Sequence, residues 1–498
     1  RRVLFRSIAN IFDNSKQLLD SIDGFFNKYV GSSLLRKCNI TKLVDSISKR
    51  SIYEYYDNPI LRLIGNIEES VILEKCVSAK RLLKDKLLAC FMSMSVHFMF
   101  RNNIITDYKQ DTYYRFDRMP KANWERLQLE TACNVINDIE SQTSDDHINV
   151  LIFDDSLYQR RCGKGTDLCA RVFDHNDHKM RLGYRMMTGG WSNGDVFIPF
   201  SQVLLSTRED RNMIGPDDPV DLRTLCGKRR ARAKQKGTQV VQSMVESAIN
   251  ADIPFDYVLF DTWFSNPSQL LDLKDAGADV IAMVKKSSTK YTWTDPDTGE
   301  CCKLNTKEIY SRNKKRCGRS KYLLSVEVTI SDATGREIPA RLVYAKNTHK
   351  RNEWVCFICT DMSVDEETIL RVYSLRWNVE TYFLMSKSYL KLRTECHSTS
   401  YDAITAHMVV VALRYMVLSV ERFNNTDNRS LMDLLYQVKR EIINDIMDRA
   451  IIIIVDALLS SVQKYFRATE QQMNEMLCSF IQELPREWQQ RFSAPACG

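Results

Sequence analysis

Residues 373–387 read YSLRWNVETYFLMSK. Within this stretch Tyr373, Arg376, Glu380 and Lys387 stand at intervals of three, four and seven. An α-helix turns about 100° per residue, so on one continuous helix the four share an arc of about 60°. Val372, Leu375, Val379, Phe383 and Leu390 fall on the adjoining arc, with Tyr382 just beyond. One stripe then packs on a core while its neighbour presents a carboxylate between cations. No Gly or Pro interrupts residues 363–400, and Ser363 with Glu366 three places on reads as a capping box that starts the helix. A charged helix face is ordinarily a solvated one, and an i,i+4 pair such as Arg376–Glu380 is worth only about 0.3 kcal/mol at a surface. The pattern gains meaning only if the rest of the chain brings partners to Glu380.

The chain is long enough for that. Its 498 residues allow two to four domains and at least one large core. With 44% hydrophobic and 27% charged residues it reads as a globular protein rather than a disordered one. A net charge of +7 admits a nucleic-acid partner without requiring one. No run reaches about 18 uninterrupted apolar residues, so no membrane span is expected. LLACFMSMSVHFMF (87–100) and AIIIIVDALL (450–459) read instead as buried helix. No secretory signal is evident, and the chain opens RRVLFRS without a Met. Fifteen cysteines without a regular framework favour reduced thiols in a cytoplasm. Cys356 and Cys359 form one CxxC, which suits zinc; the same EWVCFICTD also reads as a buried strand, the stronger of the two readings.

Residues 1–140 read as mostly helical. TYYRFDRMPKANWERL (112–127) mixes cations with Tyr and Trp, as a linker with aromatic anchors or a DNA-contacting strap would. At 148 the texture changes. INVLIF is a continuous apolar run that ends in Asp154, Asp155 and Ser156, which suits a buried strand releasing carboxylates at its end. CARVFDH (169–175) and GYRMMTGGWSNGDVFIPF (183–200) follow as strands with a Gly-rich bend. KRRARAKQK (228–236) leads into the helix VVQSMVESAINA. FDYVLFDTWFS (255–265) is a second apolar strand ending in an acid, Asp261, with a helix and the strand DVIAMVK behind it. This alternation predicts an α/β core. Short strands and turns over 290–362 predict a β-rich insertion, which carries a second basic cluster at 312–321. The core then resumes over 363–420 with the Glu380 helix, and 421–498 returns to helix. The boundaries so read are 1–140, 141–289, 290–362, 363–420 and 421–498.

Three acids stand out: Asp154 or Asp155, Asp261, and Glu380. Three carboxylates at one point repel and shift toward protonation. A pair of Mg²⁺ ions relieves this, because hard cations take oxygen ligands and two of them about 4 Å apart hold both oxygens of an in-line phosphoryl displacement.

YSLRWNVETYFLMSK resembles the Y-x2-R-x3-E-x6-K signature of DDE transposases of the insertion-sequence-four family of bacterial mobile elements, matching at all four positions. FDDSLYQR resembles the segment that carries that family's first Asp, and VLFDTWFS the one that carries its second. The likeness runs from about 112 to 400. It implies a ribonuclease-H-like catalytic core interrupted by a β-rich insertion, with helical terminal regions. The N-terminal region would bind transposon ends and the C-terminal one would dimerise. It implies two Mg²⁺ ions, replaceable by Mn²⁺, on Asp154, Asp261 and Glu380, and double-stranded DNA as partner, both inverted-repeat ends and target. A homodimer would pair the ends, with no membrane involved, in a bacterial cytoplasm at the nucleoid. Cleavage would pass through a hairpin before strand transfer. Tyr373, Arg376 and Lys387 would contact the DNA end. The family's usual Ser or Thr two places after the first Asp makes Ser156 select Asp154, with Asp155 still open. A flipped base needs an aromatic ring, and Trp377, Trp293 and Trp354 are the candidates. Two other readings keep the fold: a catalytically silent DNA-binding protein, and a structure-specific nuclease.

Overall fold

The computed structural model describes residues 79–102, 108–143, 147–174, 177–316, 320–347, 350, 353–424, 429–436, 439–440 and 469–483. The apolar run 450–459 and most of the predicted N-terminal region lie outside the described residues. The described residues fall into two compact units. One contains α1 (Ala79–Phe91) and α2 (Val96–Arg101), which pack on each other, and the terminal helix Glu470–Glu483.

The other, within 111–426, carries the candidate site. Its elements run α3 (Gln110–Asp117), α4 (Trp124–Glu140), β1 (Val150–Gln159), β2 (Ala170–Asp174), β3 (Lys179–Ser192), β4 (Phe197–Leu205), α5 (Leu225–Ala233), α6 (Gly237–Asn250), β5 (Tyr257–Phe260), α7 (Pro267–Asp275) and β6 (Asp279–Val284). Then come β7 (Lys290–Thr294), β8 (Cys301–Asn305), α8 (Thr306–Arg312), β9 (Leu324–Ser331), β10 (Glu337–Lys346), β11 (Trp354–Cys359), α9 (Glu366–Ser374), α10 (Trp377–Ser388) and α11 (Tyr401–Asn424).

All eleven strands belong to one mixed sheet, ordered β2-β3-β1-β5-β6-β11-β10-β9-β7-β8, with β4 on β3. β1, β5 and β6 are parallel, and their apolar runs are buried as a two-sided parallel sheet requires. The strands of 290–362 continue this sheet, since β11 pairs antiparallel with β6. The architecture is a mixed α/β, ribonuclease-H-like core with helices on the sheet. α4 and α11 pack on β4 and on each other, α10 touches β1 and β4, and α9 lies on β6.

Several sequence expectations are corrected here. Asp154 and Asp155 sit inside β1, which runs on to Gln159, rather than at its end. The Gly-rich bend expected in 183–200 falls at Gly194–Asp195 between β3 and β4, and Gly189–Gly190 adds a bulge within β3. A Cβ on Gly190 would lie 2.0 Å from the Phe197 ring, so glycine there lets that ring settle against Tyr382 of α10. The stretch 363–400 is not one helix. α9 is capped by Asp365, whose side chain accepts from the Thr368 N–H at 2.8 Å, and not by Ser363. α9 and α10 meet in a tight turn where Leu375, Arg376, Asn378 and Val379 each bond three residues back instead of four.

α11 is long and apolar enough to span a membrane, with a mean hydropathy of 1.8 over Tyr401–Phe423, yet 94% of that window is buried within the protein. Arg414 in its middle is fully buried and grips Glu395 at 2.6 and 3.0 Å and the Leu390 carbonyl at 3.1 Å. That bond ties the segment after α10 to the core.

Candidate active site

β1 and β5 set the first two acids. Their parallel register ends at Phe153 opposite Phe260, so Asp154 and Asp261 each follow the last pair and leave it side by side. This is the carboxyl end of the parallel strands, where open α/β sheets gather functional groups. Along β1 alternate side chains take opposite faces. Asp155 turns to Arg185 of β3 and pairs with it. Asp154 turns to α10, accepting from the Arg376 guanidinium at 2.8 Å. The same nitrogen stands 3.6 Å from a Glu380 oxygen, so the Asp154 and Glu380 oxygens are at most about 6.4 Å apart.

α10 is held in place by polar bonds to the sheet. Tyr382 accepts from Gln202 of β4 at 2.8 Å, Asn378 donates to Ser192 at 3.0 Å, and Lys387 donates to Ser156. Gln202 also donates to Thr188 at 3.2 Å and accepts from Gln128 at 3.4 Å. A buried network of this kind fixes one register of helix on sheet. Neither Gln202 nor Tyr382 belonged to the predicted site; their signal was only a polar residue inside the otherwise apolar FIPFSQVLL.

Charge is concentrated here. Burial pushes Asp154 up to about 7; Arg376 opposes this, while Asp261, Glu380 and Asp155 add to it. Asp261 is also raised, by burial first; the Trp263 N–H, Arg376 and Lys285 hold it down and Asp155 pushes it up. Burial lowers Lys387 to about 8. Tyr373 is buried with its ring on Phe357, 4.7 Å between centroids, and burial raises its phenol. Its hydroxyl lies buried near Arg376 and makes no hydrogen bond of good geometry to a described residue.

The structure therefore brings Asp154, Asp261, Glu380, Tyr373, Arg376 and Lys387 to one end of the sheet. Three hard oxygen donors gathered at one end of the sheet suit a divalent cation such as Mg²⁺ or Mn²⁺. Among the described residues, however, no three acidic, imidazole or thiol groups close on one point at ligand distance. Arg376 stands between Asp154 and Glu380 and offsets part of their charge.

Other candidates are not brought to the site. Trp293 is buried in β7, and Trp354 stacks on Tyr310 at 4.9 Å; both are packing residues of the β-rich region. Trp377 differs from these: it follows Arg376 at the start of α10, beside the acids, and is 65% exposed. Cys356 and Cys359 are three apart on β11, so their side chains leave opposite faces of a strand. Both are buried, with thiols pushed up by burial, Cys359 to about 12. This is the strand and not a zinc site. Three of the four aromatic residues of 112–127 are core: Tyr113, Phe116 and Trp124 are buried in α3 and α4, while Tyr114 is exposed. Much of the basic run 228–236 is already paired, Arg229 with Asp402, Arg230 with Asp167 and Asp402, Arg232 with Glu125 and Lys234 with Asp217.

The sheet order and the acids at the carboxyl ends of β1 and β5 are consistent with a DDE-type core. Two family models match the chain: one described as DDE superfamily endonuclease over residues 79–303, the other as transposase DDE domain over 227–417. The first covers Asp154 and Asp261, the second Asp261 and Glu380, so the two overlap on the middle acid. The protein is a DDE-type transposase, an endonuclease acting on DNA, of a class that generally uses divalent metals. No curated protein matches the chain.

Proposed function

We propose that the chain is the transposase of an insertion sequence of the family whose Y-x2-R-x3-E-x6-K signature it carries, cutting element ends through a hairpin and joining them to target DNA. The observation that carries this reading is the convergence of β1, β5 and α10 on Asp154, Asp261 and Glu380, with Arg376 between two of the acids. In this reading those three carboxylates hold two Mg²⁺ ions, or Mn²⁺ in their place, and the bound ions supply Lewis-acid polarisation of the scissile phosphate.

The chain's own residues do the rest. Arg376 presents a planar fork, and a phosphate arriving at the site exchanges for Asp154 as its partner, freeing the carboxylate. Lys387, released from its bond to Ser156, offers a mobile charge to the next phosphate. The buried Tyr373 hydroxyl supplies a donor aimed where a phosphate oxygen would sit. Binding DNA thus replaces internal pairs by phosphate contacts on the face that holds the acids. Both ends of an element must be cut, so the protein acts as a homodimer on paired inverted repeats.

The test is a supercoiled plasmid bearing the element's inverted repeats, incubated with Mg²⁺. Nicks at the ends, hairpins on the released fragment and its joining to a second plasmid support the reading in full. Nicks without joining leave a nuclease, and DNA binding without nicks leaves a silent binder.

A further inference from the structure

The amino end of the β1–β5 pair, opposite the catalytic acids, holds two buried oxygens that the fold does not satisfy. Glu140 is the last residue of α4, and Asn149 is the residue before β1. The Asn149 amide donates to Glu140 Oε2 at 2.8 Å, which locks the two side chains together. Yet Glu140 Oε1 and Asn149 Oδ1 are both buried without a hydrogen-bond partner among the described residues. Asn149 is only 9% exposed. Its backbone N–H donates to Asp256 Oδ2 at 2.8 Å, and its carbonyl accepts from the Asp256 N–H at 2.8 Å. Asp256 stands just before β5, so Asn149 joins the end of α4 to the starts of both strands.

Charge is not balanced here. A carboxylate at the end of a helix lies against the negative end of its dipole. α4 has no basic residue in its last turn, and among the described residues neither Glu140 nor Asp256 forms an ion pair. Orphaned buried oxygens are costly, and two on side chains that touch share one remedy. A water would donate to them and leave the charge in place. A cation serves both oxygens and offsets the charge. Calcium takes carboxylate, amide and water oxygens in irregular sets, whereas magnesium demands a near-ideal octahedron. We propose that Glu140 Oε1 and Asn149 Oδ1 ligate a divalent cation of calcium size, completed by water, with Asp256 adding charge beside it. The ion clamps α4 to the amino ends of β1 and β5, whose carboxyl ends release Asp154 and Asp261. About 17 Å of strand separates it from Asp154, so its role is structural.

The test uses the full chain carrying Asp154→Asn and Glu380→Gln, so that the catalytic acids do not report. Ca²⁺ is titrated in by calorimetry, and melting is followed in Ca²⁺ and in chelator. This background should still bind Ca²⁺. Glu140→Gln, which keeps an acceptor for the Asn149 amide, should weaken that binding at least about ten-fold. Glu130→Gln, one helix surface away and paired with Arg126, should leave it unchanged. In chelator Glu140→Gln should melt at or above the background, since a poorly placed charge is gone; in Ca²⁺ it should melt below it. No Ca²⁺ binding at millimolar concentration, or equal binding with Glu140→Gln, overturns the site. So does Glu140→Gln melting lower by the same margin in chelator as in Ca²⁺, because the carboxylate is then satisfied within the fold. None of these readouts involves cleavage, so failure of the clamp leaves the DDE reading standing.

Discussion

Asp154 is a carboxylate kept where carboxylates are costly. Its folded pKa of about 7 lies above the ordinary acid value, chiefly through burial, so the native state takes up a proton that the unfolded chain does not. The sign follows: stability is lost as pH rises from the ordinary carboxylate range through about 7, and above that the native fold carries the full penalty. Asp154→Asn should therefore raise the melting temperature by a few degrees at pH 8 in chelator, shrink to no gain in acid, and abolish cleavage. An unchanged or lower melting temperature at pH 8 would show that the Arg376 pair outweighs the burial cost. Asp261→Ala and Glu380→Ala should each cut nicking by at least about a thousand-fold while DNA binding survives in a mobility-shift assay. Asp155→Ala, which frees only Arg185, should nick far better than Asp154→Ala.

The junction of α9 and α10 shows what could and could not be read in advance. The spacing of Tyr373, Arg376, Glu380 and Lys387 was legible, and so were the apolar runs of β1, β5 and β6, because burial on both faces writes continuous apolar text. The break between the helices was not. It has no Gly or Pro, and the tight turn at Leu375–Arg376 is set by where α10 must lie, through Gln202, Ser192 and Ser156 far off in sequence. The pairing of the basic run 228–236 was illegible for the same reason: its partners at 125, 167, 217 and 402 are visible only once the chain is folded. Cys356 and Cys359 read more strongly as strand than as a metal pair, and β11 sets them on opposite faces. At the junction, Arg376→Ala and Lys387→Ala should lose stable end complexes and hairpin formation, with Arg376→Lys only a partial rescue because the fork is gone. Hairpins at the wild-type rate in both Ala variants, measured on denaturing gels, would reduce the spacing to surface charge.

At the scale of the whole molecule, one continuous sheet joins the acids to the β-rich strands, and α11 closes the core over it. Arg229 and Asp402 link α5 to the start of α11 with both side chains nearly inaccessible. Breaking a pair so buried leaves a bare charge, so Arg229→Ala should cost about 3 kcal/mol of stability in denaturant unfolding. It should leave the salt dependence of DNA binding unchanged. Lys228 and Lys236, exposed on the same run, should each flatten it when replaced by Ala. A loss of salt dependence in Arg229→Ala with stability intact would instead make that residue a phosphate contact. The central claim is that Asp154, Asp261 and Glu380 act as one metal site from which Arg376 withdraws when DNA arrives. Anomalous scattering from crystals of the DNA complex soaked in Mn²⁺ tests it most directly. Manganese peaks should appear bound by these three carboxylates, with Arg376 turned from Asp154 to a phosphate. Manganese bound elsewhere, with the Arg376–Asp154 pair intact beneath the DNA, would contradict it.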